Sequence, residues 1–304
     1  TTNDVYDGDV SSIEALIANR GADGKISLRE AITAANNTVG TDTILFGIDG
    51  TFTISALLGS GDDNNTKGDF DVKDSLVIIG NGVDLVAGTA NTVIAGLGSE
   101  RVFDLRSGAA TVTMSGLKIQ GGGGEDGGAL RINSAVTATL GNVIISGNNG
   151  KDGGAIYNDG RLTISRATIS GNTAVGNDGG AIYNTGTLTL SQLELAGNVA
   201  SGGHKGGAIY NKGDASLTEV WAHDNSAKEG GALWISGNSN QFTLDKVTLS
   251  ANTASEKGGA IFGANNASLS GSSVTLSGSA AGTSGGAIFV DASNWTLSSS
   301  TIAY

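Results

Sequence analysis

The chain contains no cysteine and no proline, and its 17 lysines and arginines are outnumbered by 29 aspartates and glutamates. Without cysteine there is neither a disulfide framework nor a thiolate metal centre. A net charge of −12 leaves no basic stripe to release counterions from phosphates, so nucleic acid is excluded as a partner and anionic lipid is disfavoured. No stretch approaches the roughly 18 apolar residues of a membrane helix, so membrane insertion is not expected. Charge itself is scarce, at 15% of residues, whereas disordered chains are rich in charge and proline. What the chain has instead is glycine, 50 of its 304 residues, and 38% apolar residues. Its Val, Ile, Leu and Thr alternate in short runs, which describes strands that turn often.

A repeat decides the architecture. A Gly-Gly-Ala-aliphatic block opens at Gly127, Gly153, Gly179, Gly206, Gly230, Gly258 and Gly285, in steps of 26, 26, 27, 24, 28 and 27 residues. Asn148, Asn172, Asn198, Asn225 and Asn252 lead the block in successive units, with Ser279 in the next place. Between these markers lie alternating runs such as Leu188-Thr189-Leu190 and Leu193-Glu194-Leu195. The pattern predicts an all-β fold, a right-handed three-sided parallel β-helix (solenoid) over residues 41–304. It would have about ten rungs at ~4.8 Å each.

Residues 1–40 read as a helical cap. Ile13, Leu16 and Ile17 form an apolar helical face, and Ser27 with Glu30 forms a capping box for a second helix carrying Leu28, Ile32 and Ala35. No such device follows Thr301-Ile302-Ala303-Tyr304, which predicts end-to-end stacking or continuation into a larger polypeptide. In the rungs, Leu130, Ile156, Ile182, Ile209, Leu233, Ile261 and Ile288 should point inward. The Asn column should stack as an amide ladder.

Two motifs carry a resemblance. Ile26-Ser27-Leu28-Arg29-Glu30-Ala31 is similar to the "CSLREA" element of large bacterial surface proteins, with isoleucine where that family has cysteine. The Gly-Gly-Ala-Ile-Tyr-Asn blocks, paired with Ser-Gly-Asn-Thr at 170–173, resemble the GGAI/FxxN repeats of the chlamydial polymorphic membrane proteins. Asn is kept, and Ile169, Leu195 and Leu249 stand near the place of the Phe. The resemblance implies a secreted or cell-surface protein, an adhesin or matrix component.

The candidate binding surface is one residue past the inward column. Arg131, Tyr157, Tyr183, Tyr210, Trp234, Phe262 and Phe289 stand there, six of the chain's fifteen aromatics. Strand alternation sends them outward, and the alanines from Ala129 to Ala287 should share that face as a flat apolar floor. Such a strip fits a contact with another copy of the chain, another surface protein or a glycan. Asp69 and Asp71 should lie outward as an acidic strip.

Calcium is the one cofactor the sequence raises. Asn19, Asp23 and Glu30 occupy places 1, 5 and 12 of a loop that echoes a calcium-binding loop. Asp126, Asp152 and Asp178 form a second acidic stack, each before a Gly-Gly. Three-sided β-helices include polysaccharide lyases and glycoside hydrolases, so a carbohydrate-active enzyme with its groove on the early rungs is the runner-up. No converging carboxylate pair is evident in the repeats, and His204 and His223 read as turn residues without carboxylate partners. Ice binding is a minor reading. A threonine column runs through Thr163, Thr189, Thr218, Thr243 and Thr296, but its companion, Ser165, Ser191, Val220, Asp245 and Ser298, is mixed.

Overall fold

A computed structural model describes residues 1–55, 64–237, 240–291 and 294–303. Tyr304, at the expected open end, lies outside them. Each regular rung turns at three left-handed residues. The first glycine of every Gly-Gly, from Gly127 to Gly285, has φ between 59° and 75°. A second corner precedes the Asn, at Gly147, Gly171, Gly197, Asp224, Ala251 and Gly278. The third falls at Asn142, Arg166, Gln192, Glu219, Lys246, Ser273 and Ser299, with φ between 48° and 56°.

Only the first corner demands glycine for space as well as φ. A Cβ on Gly153 would press into the carbonyl of Ile156, whereas one on Gly171 would meet nothing within 4 Å. That difference explains why one corner repeats visibly in the sequence and the third does not. Asn, Arg, Gln, Glu, Lys and Ser all serve there, exposed to water.

The strands between corners stack in parallel ladders, one residue of each rung over its equivalent in the next. The ladder after the Gly-Gly block has nine strands, from Phe70–Val72 to Ile288–Val290. The longest path has ten, built on strands such as Thr187–Ala196, which bend at the third corner. A five-stranded ladder of short pieces follows the Asn turn, from Thr173–Ala174 to Ala280–Ala281. The two runs read as separate strands in the sequence are thus one hydrogen-bonded path around a corner. The result is a β-solenoid with two short helices near its N-terminus.

The interior is the aliphatic column. Leu130, Ile156, Ile182, Ile209, Leu233 and Ile261 are fully buried in one continuous cluster, each contributing about 1.5–3 kcal/mol. The alanines depart from expectation. Ala129, Ala155, Ala181, Ala208, Ala232 and Ala260 belong to the same core rather than to the outer face. They sit on the corner, not in the strand: the N–H groups of Ala129 and Leu130 both donate to the Ala155 carbonyl, at 2.8 and 3.0 Å. Alternation has not yet begun there, so two consecutive residues face inward.

Buried amides hold the turns. Asn172 Nδ2 donates to Asn198 Oδ1 at 3.0 Å, and Asn198 Nδ2 to Asn225 Oδ1 at 3.0 Å. A second ladder runs through Asn158, Asn184 and Asn211 at 2.6 Å per step. All six side chains are shut off from water, so each depends on its neighbours for its hydrogen bonds.

Register corrects the threonine column. Thr163, Thr189, Ser216, Thr243, Ser270 and Thr296 are successive partners, and Ser165, Ser191, Thr218, Asp245, Ser272 and Ser298 are the companion set. Thr218 belongs to the second column, and Val220 is buried. A slip of two residues preserves the in–out alternation, so hydrophobic pattern cannot detect it.

At the N-terminal end, helix α1 (Ile13–Ala18) packs on helix α2 (Leu28–Asn36), which lies against the first strands. Ser27 caps α2 through the expected reciprocal box with Glu30. Leu28, Ile32 and Ala35 join the solenoid core.

Candidate functional site

The column one residue past the inward aliphatics runs unbroken along the nine-stranded ladder. Asp71, Asp104, Arg131, Tyr157, Tyr183, Tyr210, Trp234, Phe262 and Phe289 are successive register partners. The six rings stack nearly parallel, with interplanar angles of 4–20° and centroids 4.3–6.1 Å apart. All but Tyr157 belong to an apolar cluster separate from the main core, so the column does lie on the outer side of the ladder.

It is not an exposed strip, however. Tyr210, Trp234 and Phe262 are only 4–5% exposed, while Tyr157, Tyr183 and Phe289 are half-buried. A rung spacing of about 4.8 Å matches ring stacking, so each ring covers both faces of its neighbours. Long cations add to the cover. Lys205 Nζ sits 5.0 Å from the Trp234 centroid, Lys212 Nζ 5.0 Å from Tyr210, and Lys257 Nζ 4.7 Å from Phe289. Lys212 Nζ also donates to the Tyr183 hydroxyl at 3.1 Å. Trp234 Nε1 is buried and finds no partner among the described residues.

Asp126, Asp152 and Asp178 flank the tyrosines, all half-buried. Asp152 accepts from Asn177 Nδ2 at 3.1 Å and from the Asp178 N–H at 3.3 Å, and Asp178 accepts from the Lys205 N–H at 2.9 Å. Burial raises the Asp152 carboxyl above its ordinary range, and the charges of Asp126 and Asp178 add to this. Burial, with Asp152, Asp178 and Asp126 nearby, pushes the Tyr183 phenol up to about 12. One carboxylate per rung spreads the three along the stack. Among the described residues, the trio whose oxygens lie within 4.8 Å of one another is instead Asp69, Asp71 and Asp104.

That trio corrects the acidic strip expected on the surface. All three carboxylates are buried. Arg101 Nε lies 2.7 Å from Asp69, and Arg106 Nε lies 3.0 Å from Asp71 and 3.3 Å from Asp104. Arg101 also pairs with Glu125. The Asn65 N–H bonds Asp71 at 3.1 Å, and Asn133 Nδ2 bonds Asp104 at 3.0 Å. Burial pushes Asp69 up to about 6 against the pull of Arg101. The cations that neutralise the cluster are the protein's own guanidinium groups, so it reads as a structural network.

In the calcium-like loop, Glu30 is fully buried and already engaged. Its Oε1 accepts from the N–H groups of Asp7 and Gly8, both at 2.8 Å, and its Oε2 from Ser27 at 2.9 Å. Asp23 bonds the Lys25 N–H at 2.7 Å, and Asn19 caps α1. A bidentate role for Glu30 would require breaking those three bonds.

The histidines also differ from expectation. His223 ends the strand Asp214–His223 and has two carboxylate partners, Asp224 at 2.7 Å and Glu194 at 2.8 Å. The exposed Trp221 stacks on it at 3.9 Å. His204 lies 4.0 Å from Asp178. Glu194 and Asp178 sit one rung away, a distance in sequence that local inspection does not bridge, whereas Asp224 is the residue next to His223 in the chain.

Residues 166–185 and 246–264 match the Chlamydia polymorphic membrane protein repeat. Each match opens at a third-corner residue, Arg166 or Lys246, and runs through the buried Asn and the Gly-Gly corner. Each ends past one ring of the stack, Tyr183 or Phe262. The polymorphic membrane protein repeat therefore describes the turn machinery of a rung, and it points to a surface-associated bacterial protein. No curated protein and no solved structure matches the chain. Among the described residues, no helix is long and apolar enough to cross a membrane.

Proposed function

We propose that the chain is a structural or adhesive module of a bacterial surface or extracellular matrix, and that it meets its partner through the half-buried end of the aromatic column. The observation that carries this reading is the arrangement at Tyr157 and Tyr183. Their phenol edges are partly open to water, with Asp126, Asp152 and Lys212 around them. Rings of amphipathic character, ringed by both signs of charge, suit contact with a glycan, another surface protein or a second copy of this chain. The fully packed rings above them stiffen this end of the column. The CSLREA-like segment supports an exported surface protein on resemblance alone.

The test is binding to an immobilised glycan panel, together with sedimentation velocity for self-association, comparing the parent chain with Tyr157→Ala/Tyr183→Ala. The reading requires binding or association that the double substitution weakens while the melting temperature stays close to that of the parent. It fails if the parent does neither, or if the substitutions leave both unchanged.

A further inference from the structure

The corrected register exposes a second regular surface, on the large sheet before the third corner. Its first rank runs from Thr113 to Thr296, and every one of its eight positions is threonine or serine. The second rank, from Ser115 to Ser298, is threonine or serine at six of eight, with Gly141 and Asp245 as the exceptions. Strand preference alone does not produce this. It would admit Val, Ile and Tyr on an outer face and would not favour Ser, yet across these eight rungs none of the three stands in either rank. The hydroxyl ranks begin at Thr113 and Ser115, whose partners in the rung before are Val77 and Ile79. The hydroxyls of Thr163, Ser165, Thr189, Ser191, Ser216 and Thr218 make no hydrogen bond with any described residue, so they are left to water. One charge, Asp245, interrupts the two ranks.

We propose that this face binds ice. Each hydroxyl both donates and accepts, as a lattice water does. Two waters bonded to a common third lie ~4.5 Å apart, from an O···O distance of about 2.75 Å and the tetrahedral angle. Parallel rungs repeat at about 4.8 Å, so hydroxyls along a rank stand near the spacing of second-neighbour waters. Threonine's stiff χ1 fixes its oxygen and methyl in place, which keeps the spacing regular. The ranks contain no aromatic ring on which a sugar could stack, so a crystalline water surface fits this face better than a glycan. The inference does not depend on the aromatic column, which lies on a different side of the rung.

The experiment is slow freezing of the whole chain in dilute solution onto an ice-coated cold finger, with the ice fraction compared to a reference protein of similar charge. A recrystallisation assay runs beside it. The parent chain should enrich in ice and inhibit recrystallisation. Thr163→Arg/Thr189→Arg should abolish both, and Thr275→Arg, beyond the Ser273 corner, should leave both intact. Thr163→Ala/Thr189→Ala, which adds no bulk, should weaken both and stands in if the arginine pair fails to fold. Exclusion of the parent from ice would overturn the inference. So would enrichment indifferent to the folded rank substitutions, or binding of the same face to a soluble polysaccharide in place of ice.

Discussion

Glu194 Oε1 and His223 Nε2 lie 2.8 Å apart although 29 residues separate them in the chain. Register sets Glu194 against Trp221 and Ala196 against His223, so the pair is a diagonal contact between adjacent rungs. Burial opposes charge on the imidazole, but the hydrogen bonds to Asp224 and Glu194 outweigh it and hold His223 above the ordinary 6.5. A raised folded value makes this stabilisation fully present below pH 6.5 and lost as pH rises through the folded value. The melting temperature should therefore fall as pH rises past 6.5, and His223→Gln should flatten that decline. Parallel curves for the two proteins would contradict it.

Asp69 gives a second, separable pH signature. With its ordinary value at 3.8 and its folded value at about 6, the native state holds an extra proton between those limits. Stability should decline across that window as pH rises. Carboxyl NMR should find Asp69 titrating near 6, and a midpoint near 3.8 would show that its burial beside Asp71 and Asp104 is wrong.

The corners make a graded prediction about glycine. Gly171→Ala meets only the left-handed backbone penalty and should cost about 1 kcal/mol in urea denaturation. Gly153→Ala drives a Cβ into the Ile156 carbonyl and should cost clearly more. Ala251→Gly, which relieves an alanine at φ 52°, should leave the protein as stable or more so. Equal costs for Gly171 and Gly153 would contradict the corner geometry.

The stacked rings should divide by burial. Trp234→Ala removes a ring packed between Tyr210 and Phe262 and should cost about 3–5 kcal/mol. Tyr157→Ala, at the half-buried end, should cost ~1 kcal/mol. A small loss at Trp234, measured by the denaturation midpoint, would restore an open strip.

The fold was legible because two of its devices constrain residue type. The Gly-Gly corner admits no Cβ, and the inward column admits only large apolar residues, Phe70 and Phe103 and then aliphatics from Leu130 onward, so both repeat in plain view. The buried Asn column was readable for the same reason. The third corner was not, because any polar residue that tolerates left-handed φ serves there. The direction of the aromatic column followed from alternation, but its burial did not, since stacked neighbours and overlying lysines come from other rungs. The same applies to Asp71 and Asp104: alternation put them outside the core, while Arg106, Asn65 and Asn133 bond them and they are shut from water. At Asn19, Asp23 and Glu30 the spacing offers ligand positions, but it does not reveal that the N–H groups of Asp7 and Gly8 bond Glu30.

Register is the claim on which the solenoid and both of its faces depend, and the chain's lack of native cysteine makes it directly measurable. Thr189→Cys/Ser216→Cys places two thiols on rung partners with Cα atoms about 4.8 Å apart, within disulfide reach, whereas Thr189→Cys/Thr218→Cys places them about 8 Å apart, outside it. Oxidation of the folded protein should close the first pair and leave the second open. Closure of the second pair in preference to the first would contradict the stacking described for these rungs.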